Sequence, residues 1–134
     1  MHLSTLIATA GICHFGILIA SALVPKVLDW RHQLEGLTPL CRHLVWTHGA
    51  FIVLVIIGFG VLSVGMAGDL AAGTVLGRGV CAFMGIFWMT RLLIQFFVFD
   101  AKPYLTSPVL RVGYHGLTVV FVYLTVVYLL AASV

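Results

Sequence analysis

Four runs of apolar residues alternate with short polar connections along the chain. The runs cover residues 3–24, 44–66, 79–99 and 112–134, and each is bounded by charged residues, Pro or Gly. A helix needs about 20 apolar residues to cross the hydrocarbon core of a bilayer, so each run is long enough to span it. The connections are too short to fold alone. The pattern therefore predicts an all-α integral membrane protein in which residues 1–134 form a single domain, an up-down bundle of four transmembrane helices.

Composition strengthens this prediction and excludes a water-soluble domain. The chain is 62% hydrophobic and 8% charged, whereas soluble domains carry about a quarter charged residues. The first run is too long for the apolar core of a secretory signal peptide, so we interpret it as a retained helix. Residues 26–35 alternate apolar and charged positions and predict a short amphipathic helix at the membrane surface. The Gly- and Ala-rich residues 67–77 predict an irregular loop.

The distribution of Lys and Arg predicts the orientation of the bundle. Five of these residues lie in the first and third connections: Lys26, Arg31, Arg42, Lys102 and Arg111. On the opposite side only Arg78 is basic. Because cytoplasmic loops are enriched in Lys and Arg, we expect these two connections in the cytoplasm and both termini outside, in the inner membrane of a bacterium. The basic residues are scattered rather than clustered, which argues against binding of nucleic acid.

Five ionisable or strongly polar side chains lie within the predicted spans: His14, His48, Arg91, Gln95 and His115. At 1.5 Å per residue they lie about 6–16 Å from the cytoplasmic edge, and therefore all in one half of the bilayer. Such groups are costly in lipid and face the bundle interior, so their shared half predicts one polar site. Trp88, Arg91 and Gln95 recur at spacings of three and four residues and share one helix face.

The first hypothesis for this site is that His48 and His115 are the axial iron ligands of haem b. They lie at matching depth on the second and fourth spans, which are diagonal in an up-down bundle and leave room for a porphyrin. Arg42, Arg91 or Arg111 would then contact the haem propionates, and His14 would form a hydrogen bond nearby. In helix count and intramembrane histidines, the layout resembles the haem-bearing membrane anchors of respiratory complexes.

Other interpretations use the same side chains. A quinone would accept hydrogen bonds from His, Arg or Tyr while its ring stacks on an aromatic side chain such as Trp88 or Phe96. A metal ion without haem would be held by His14, His48 and His115, and no Asp or Glu lies at that depth to favour a hard cation. In the simplest alternative, the histidines only form hydrogen bonds between helices.

Together these patterns predict a small redox-linked membrane subunit that binds haem b or a quinone. No residue pattern assigns catalysis to this chain alone. The expected partners are the lipid bilayer and either another membrane or peripheral protein or further copies of the chain. Two alternatives are a non-catalytic accessory subunit of a larger membrane complex and a small oligomeric transporter. Transport is disfavoured because no acidic residue lies in a span and the polar groups stop in one half of the bilayer.

Overall fold

The computed structural model describes residues 2–27, 30–98 and 107–133, and in this part the chain is helical with no strand. The helices are α1 (Leu3–Val27), α2 (Trp30–Gln33), α3 (Pro39–Gly65), α4 (Ala67–Ala71), α5 (Val75–Phe97) and α6 (Pro108–Ser133). The four long helices α1, α3, α5 and α6 are long and apolar enough to cross a membrane. The predicted all-α bundle of four transmembrane helices is thereby confirmed.

Three of the long helices begin several residues before the apolar runs that predicted them. The side chain of Thr38 accepts a hydrogen bond from the backbone N–H of Cys41 at the start of α3, with Pro39 in the first turn. Thr74 caps α5 in the same way, and α6 begins with Pro108. Side-chain caps and an early Pro fix where a helix begins. Charged residues mark the edge of the membrane instead, so apolar runs that are bounded by charged residues underestimate the length of the helices. The predicted ends at Phe99 and Val134 lie outside the described residues.

The loop predicted for residues 67–77 is partly wrong. Residues Ala67–Ala71 form the short helix α4, and α5 already begins at Val75. Leu70 of α4 is only 4% exposed and belongs to the apolar core. Since α4 contacts α1, α3 and α5, it covers one end of the bundle, which we call the α4 end. We call the opposite end, where α3 begins and α5 ends, the basic end.

The short helix α2 lies at the basic end, within the segment for which an amphipathic helix was predicted. Residues Leu28 and Asp29 of that segment lie outside the described residues. The ring of Trp30 meets that of Trp46 on α3 edge to face, with centroids 5.2 Å apart, and it also lies over Gly49. These two contacts of the Trp30 ring connect α2 to α3.

The bundle consists of two closely packed helix pairs. α1 packs along α3, and α5 packs along α6. A Cβ atom on Gly11 of α1 would lie 2.7 Å from Val64 Cγ2, and one on Gly85 of α5 would lie 2.7 Å from Leu129 Cδ2. Small residues therefore allow the close approach within each pair. The two pairs join where α1 contacts α6, whereas α3 and α5 pack much less extensively on each other.

Candidate functional site

His14 lies at the centre of the bundle, fully buried. Its Nδ1 lies 2.8 Å from the Ala10 carbonyl oxygen, and its Nε2 lies 3.0 Å from Nε1 of Trp88. The carbonyl can only accept a hydrogen bond and the indole N–H can only donate one, so His14 donates from Nδ1 and accepts at Nε2. Both ring nitrogens are therefore engaged, and His14 links α1 to α5 as a neutral imidazole.

Further polar contacts link the helices in the half nearer the α4 end. The hydroxyl groups of Ser63 on α3 and Tyr128 on α6 form a buried hydrogen bond, and the Tyr123 hydroxyl donates to the Leu6 carbonyl at 3.1 Å. Residue type alone predicts no role for these hydroxyl groups, because Ser and Tyr are common in membrane helices. Their pairing depends on helix rotation, which residue spacing alone does not define.

Aromatic rings complete the packing around His14. The His14 ring meets the rings of Phe59, Trp88 and Tyr128 edge on, at centroid distances of 6.0, 5.2 and 6.0 Å. The indole of Trp88 also stacks on Phe121, with centroids 5.4 Å apart and planes inclined by 17°. This cluster fills the middle of the bundle and separates the α4 end from the space below it.

A cleft of about 400 Å³ lies on the basic side of this aromatic cluster, and all four long helices line it. Its volume falls within the range of small-molecule sites in proteins. Its inner wall consists of the buried side chains of Ile17, Ile56, Trp88 and Phe121. Among the described residues, Arg91 is the one charged residue that lines it. The guanidinium carbon of Arg91 lies 5.2 Å from the centroid of Phe121, a distance at which the ring attracts a cation.

The predicted stripe of Trp88, Arg91 and Gln95 is divided between two environments. Trp88 and Arg91 line the cleft. Gln95 is 4% exposed, and its side-chain amide donates a hydrogen bond to the Thr118 hydroxyl on α6. The Thr118 hydroxyl in turn donates to the Tyr114 carbonyl at 3.1 Å. Gln95 therefore links α5 to α6, and it is absent from the cleft lining.

The remaining predicted site residues lie outside the cleft lining. His48 is exposed, and its Nδ1 lies 2.7 Å from the Leu44 carbonyl oxygen, one turn earlier on α3. His115 is exposed on α6, with its ring edge on to Tyr114, and Arg111 is also exposed. Within residues 2–27, 30–98 and 107–133, no group of three His, Cys, Asp or Glu residues is arranged to hold a metal ion. The structure thus gathers Trp88 and Arg91 at one site, with His14 directly behind Trp88.

Fold and site define a membrane-embedded four-helix bundle with an apolar, arginine-bearing cleft between its two helix pairs. Comparison of the chain with protein-family models, with curated proteins and with solved structures gives no match.

Proposed function

We propose that this chain is a small redox-linked membrane subunit that binds a quinone in the cleft. The observation that carries the proposal is the position of Arg91 beside Phe121 in the wall of an otherwise apolar and aromatic cleft. A quinone combines a flat apolar ring with carbonyl oxygens that accept hydrogen bonds. The rings of Trp88 and Phe121 offer surfaces for packing against the quinone ring. The N–H groups of Arg91 are donors for hydrogen bonds to the quinone oxygens.

The described geometry supports a quinone better than haem b. A haem held by two histidines needs an imidazole nitrogen from each side of the ring. No histidine is among the residues that line the cleft. His14, behind Trp88, already uses both nitrogens, and His48 and His115 are exposed. Haem b held by His48 and His115 is therefore the alternative, and the visible spectrum of the purified protein distinguishes it.

A redox role also requires a partner. A quinone exchanges electrons with a donor or acceptor, and the part of the chain that the structure describes offers no cluster of metal ligands for one. We therefore propose that the chain works beside another membrane or peripheral protein that carries the redox centre. An accessory subunit without a ligand is the competing account, and it predicts no saturable binding in the cleft.

The proposal is tested by titrating a quinone into the protein in lipid nanodiscs. Quinones quench indole fluorescence, and a background with Trp30→Phe and Trp46→Phe leaves Trp88 as the emitter. We expect saturable quenching that Arg91→Ala weakens about tenfold or more, because a hydrogen bond from a charged donor is lost. Arg91→Lys retains the charge without the planar fork of donors and should give an intermediate affinity.

The matched control is Arg78→Ala. Arg78 lies at the α4 end, where its Nε donates to the Ala132 carbonyl at 3.0 Å, so its loss leaves the cleft lining unchanged. Equal affinity for the quinone in the Arg78→Ala and Arg91→Ala proteins would contradict the proposed site. Quenching that rises linearly with quinone concentration, without saturation, would favour the accessory-subunit account.

A further inference from the structure

The cleft has one side on which the helices that border it are not packed closely together. α1 packs on α3, α5 packs on α6, and α1 contacts α6, so the helices on three sides of the bundle touch one another. On the fourth side, α3 meets α5 through the ring of Phe59, which contacts Phe83 and Phe87 edge on at 6.1 and 5.2 Å. These contacts close the fourth side towards the α4 end. Towards the basic end, the described residues of α3 and α5 leave a gap between the two helices.

Two residues form the rim of this gap. Ile52 on α3 and Thr90 on α5 both line the cleft, yet Ile52 is 53% exposed and Thr90 is also exposed. A side chain that lines a cavity while it stays exposed lies at the opening of that cavity. The buried residues Ile56 and Trp88, further along the same helices, form its inner wall.

The gap opens at a depth where lipid chains, not water, surround the bundle. Ile52 lies ten residues beyond Arg42, which is about 15 Å along the helix axis. Thr90 lies seven residues before Phe97, the last residue of α5, which is about 10 Å. The hydrocarbon core is about 30 Å thick, so both rim residues lie well within it. A ligand that passes between them comes from the bilayer.

We infer that the ligand is a quinone with a long apolar tail, which enters sideways from the bilayer between α3 and α5. This inference rests on the proposed function. The ring lies in the cleft beside Arg91, and the tail leaves between Ile52 and Thr90 into the lipid. A cleft of about 400 Å³ has room for a ring and the first part of a tail, and an opening into hydrocarbon accommodates the rest without exposing apolar surface to water.

The test narrows the opening with single substitutions and compares two probes. The variants Ile52→Phe and Thr90→Phe add bulk at the rim. Leu54→Phe and Leu93→Phe are the matched controls, because Leu54 and Leu93 lie on the same helices, are 62% and 47% exposed, and are absent from the cleft lining. The probes are a benzoquinone with a decyl tail and the same benzoquinone without the tail, titrated into nanodiscs by Trp88 quenching.

We expect the rim variants to weaken binding of the decyl quinone about tenfold, since a tail forced through a narrowed opening is overpacked. Binding of the tailless quinone should change much less, and the control variants should bind both probes as the parent protein does. If the rim variants weaken binding of both probes equally, or do not weaken binding of the decyl quinone, lateral entry is overturned. The effect of Arg91→Ala on quinone binding then still tests the proposed ring site separately. If decanol competes as well as the decyl quinone, the gap takes up any lipid chain, and the assignment of the gap to a quinone tail is overturned.

A second measurement does not depend on the rim variants folding. A decyl quinone with a photoreactive diazirine at the end of its tail is irradiated in nanodiscs, and the labelled peptides are identified by mass spectrometry. Labelling concentrated on α3 and α5 supports the inference. Labelling concentrated on α1 and α6 overturns it. If neither quinone binds saturably to the parent protein, both the proposed function and this inference are contradicted.

Discussion

The indole N–H of Trp88 on α5 donates a hydrogen bond to Nε2 of His14 on α1, across the centre of the bundle, at 3.0 Å. The two residues belong to different helix pairs, so this bond links the pairs where their backbones pack only modestly. It also holds the face of the Trp88 ring against Phe121 in the wall of the cleft. A structural hydrogen bond and the shape of the candidate binding site thus depend on the same indole ring.

We expect His14→Leu to lower the free energy of unfolding by about 1–2 kcal/mol, because the buried indole N–H of Trp88 loses its acceptor. Trp88→Phe should cost a similar amount. The double variant should cost less than the sum of the two, since the second change removes a bond that is already broken. Titration with sodium dodecyl sulfate from mixed micelles measures these differences. Strictly additive effects would show that the bond contributes nothing to stability.

Two glycines on α5 should respond in opposite directions to the same substitution. A Cβ atom on Gly85 would lie 2.7 Å from Leu129 Cδ2, whereas nothing lies within 4 Å of one on Gly79. We expect Gly85→Ala to destabilise the bundle by about 1–3 kcal/mol through overpacking against α6. Gly79→Ala should be neutral or stabilise by up to about 1 kcal/mol, because Ala favours the helix. The same detergent titration compares them, and destabilisation by both would contradict the close packing at Gly85.

The sequence predicted the helix count because it follows from the length and composition of each run, whereas the depth of the polar groups in the bilayer stays a prediction. It could not predict which helix pairs pack tightly, since the glycines that decide this, Gly11 and Gly85, look like any others among the 14 of the chain. Two residues of the predicted stripe, Trp88 and Arg91, line the cleft. The stripe also included Gln95, whose side-chain amide donates a hydrogen bond to Thr118 on α6 and does not line the cleft. A stripe of residues on one helix is broad enough to face two neighbouring helices, so its members can lie in different environments.

The histidines illustrate the same distinction. Their similar depth made His48 and His115 the predicted pair of haem ligands, and the greater depth of His14 gave it only a predicted hydrogen bond nearby. The structure buries His14 and leaves the other two exposed, which is a difference in helix rotation that depth does not define. A residue's depth follows from its distance to the nearest charged boundary, whereas its direction depends on which helices pack, and that is a property of the assembled bundle.

The orientation of the bundle stays a prediction and has a direct test. The five-to-one excess of Lys and Arg on one side predicts that residues 67–77 and the C-terminus lie outside and that residues 25–43 lie in the cytoplasm. Alkaline phosphatase fused after residue 72 should be active, and a fluorescent protein fused at the C-terminus should be dark. A fluorescent C-terminal fusion would reverse the orientation and place the cleft in the outer half of the bilayer.

The absorption spectrum separates the quinone proposal from haem b. After growth with ample haem and gentle extraction, we expect the purified protein to show no Soret band, because no histidine lines the cleft and His14 already uses both ring nitrogens. The haem alternative predicts a low-spin spectrum that either His48→Ala or His115→Ala abolishes.

His48 is compatible with that role in one respect: its Nδ1 donates to the Leu44 carbonyl, which leaves Nε2 as the nitrogen that would bind iron. A Soret band that both substitutions abolish, and that His14→Ala only shifts, would replace the quinone by haem b. The site would then lie at the exposed histidines and not in the cleft.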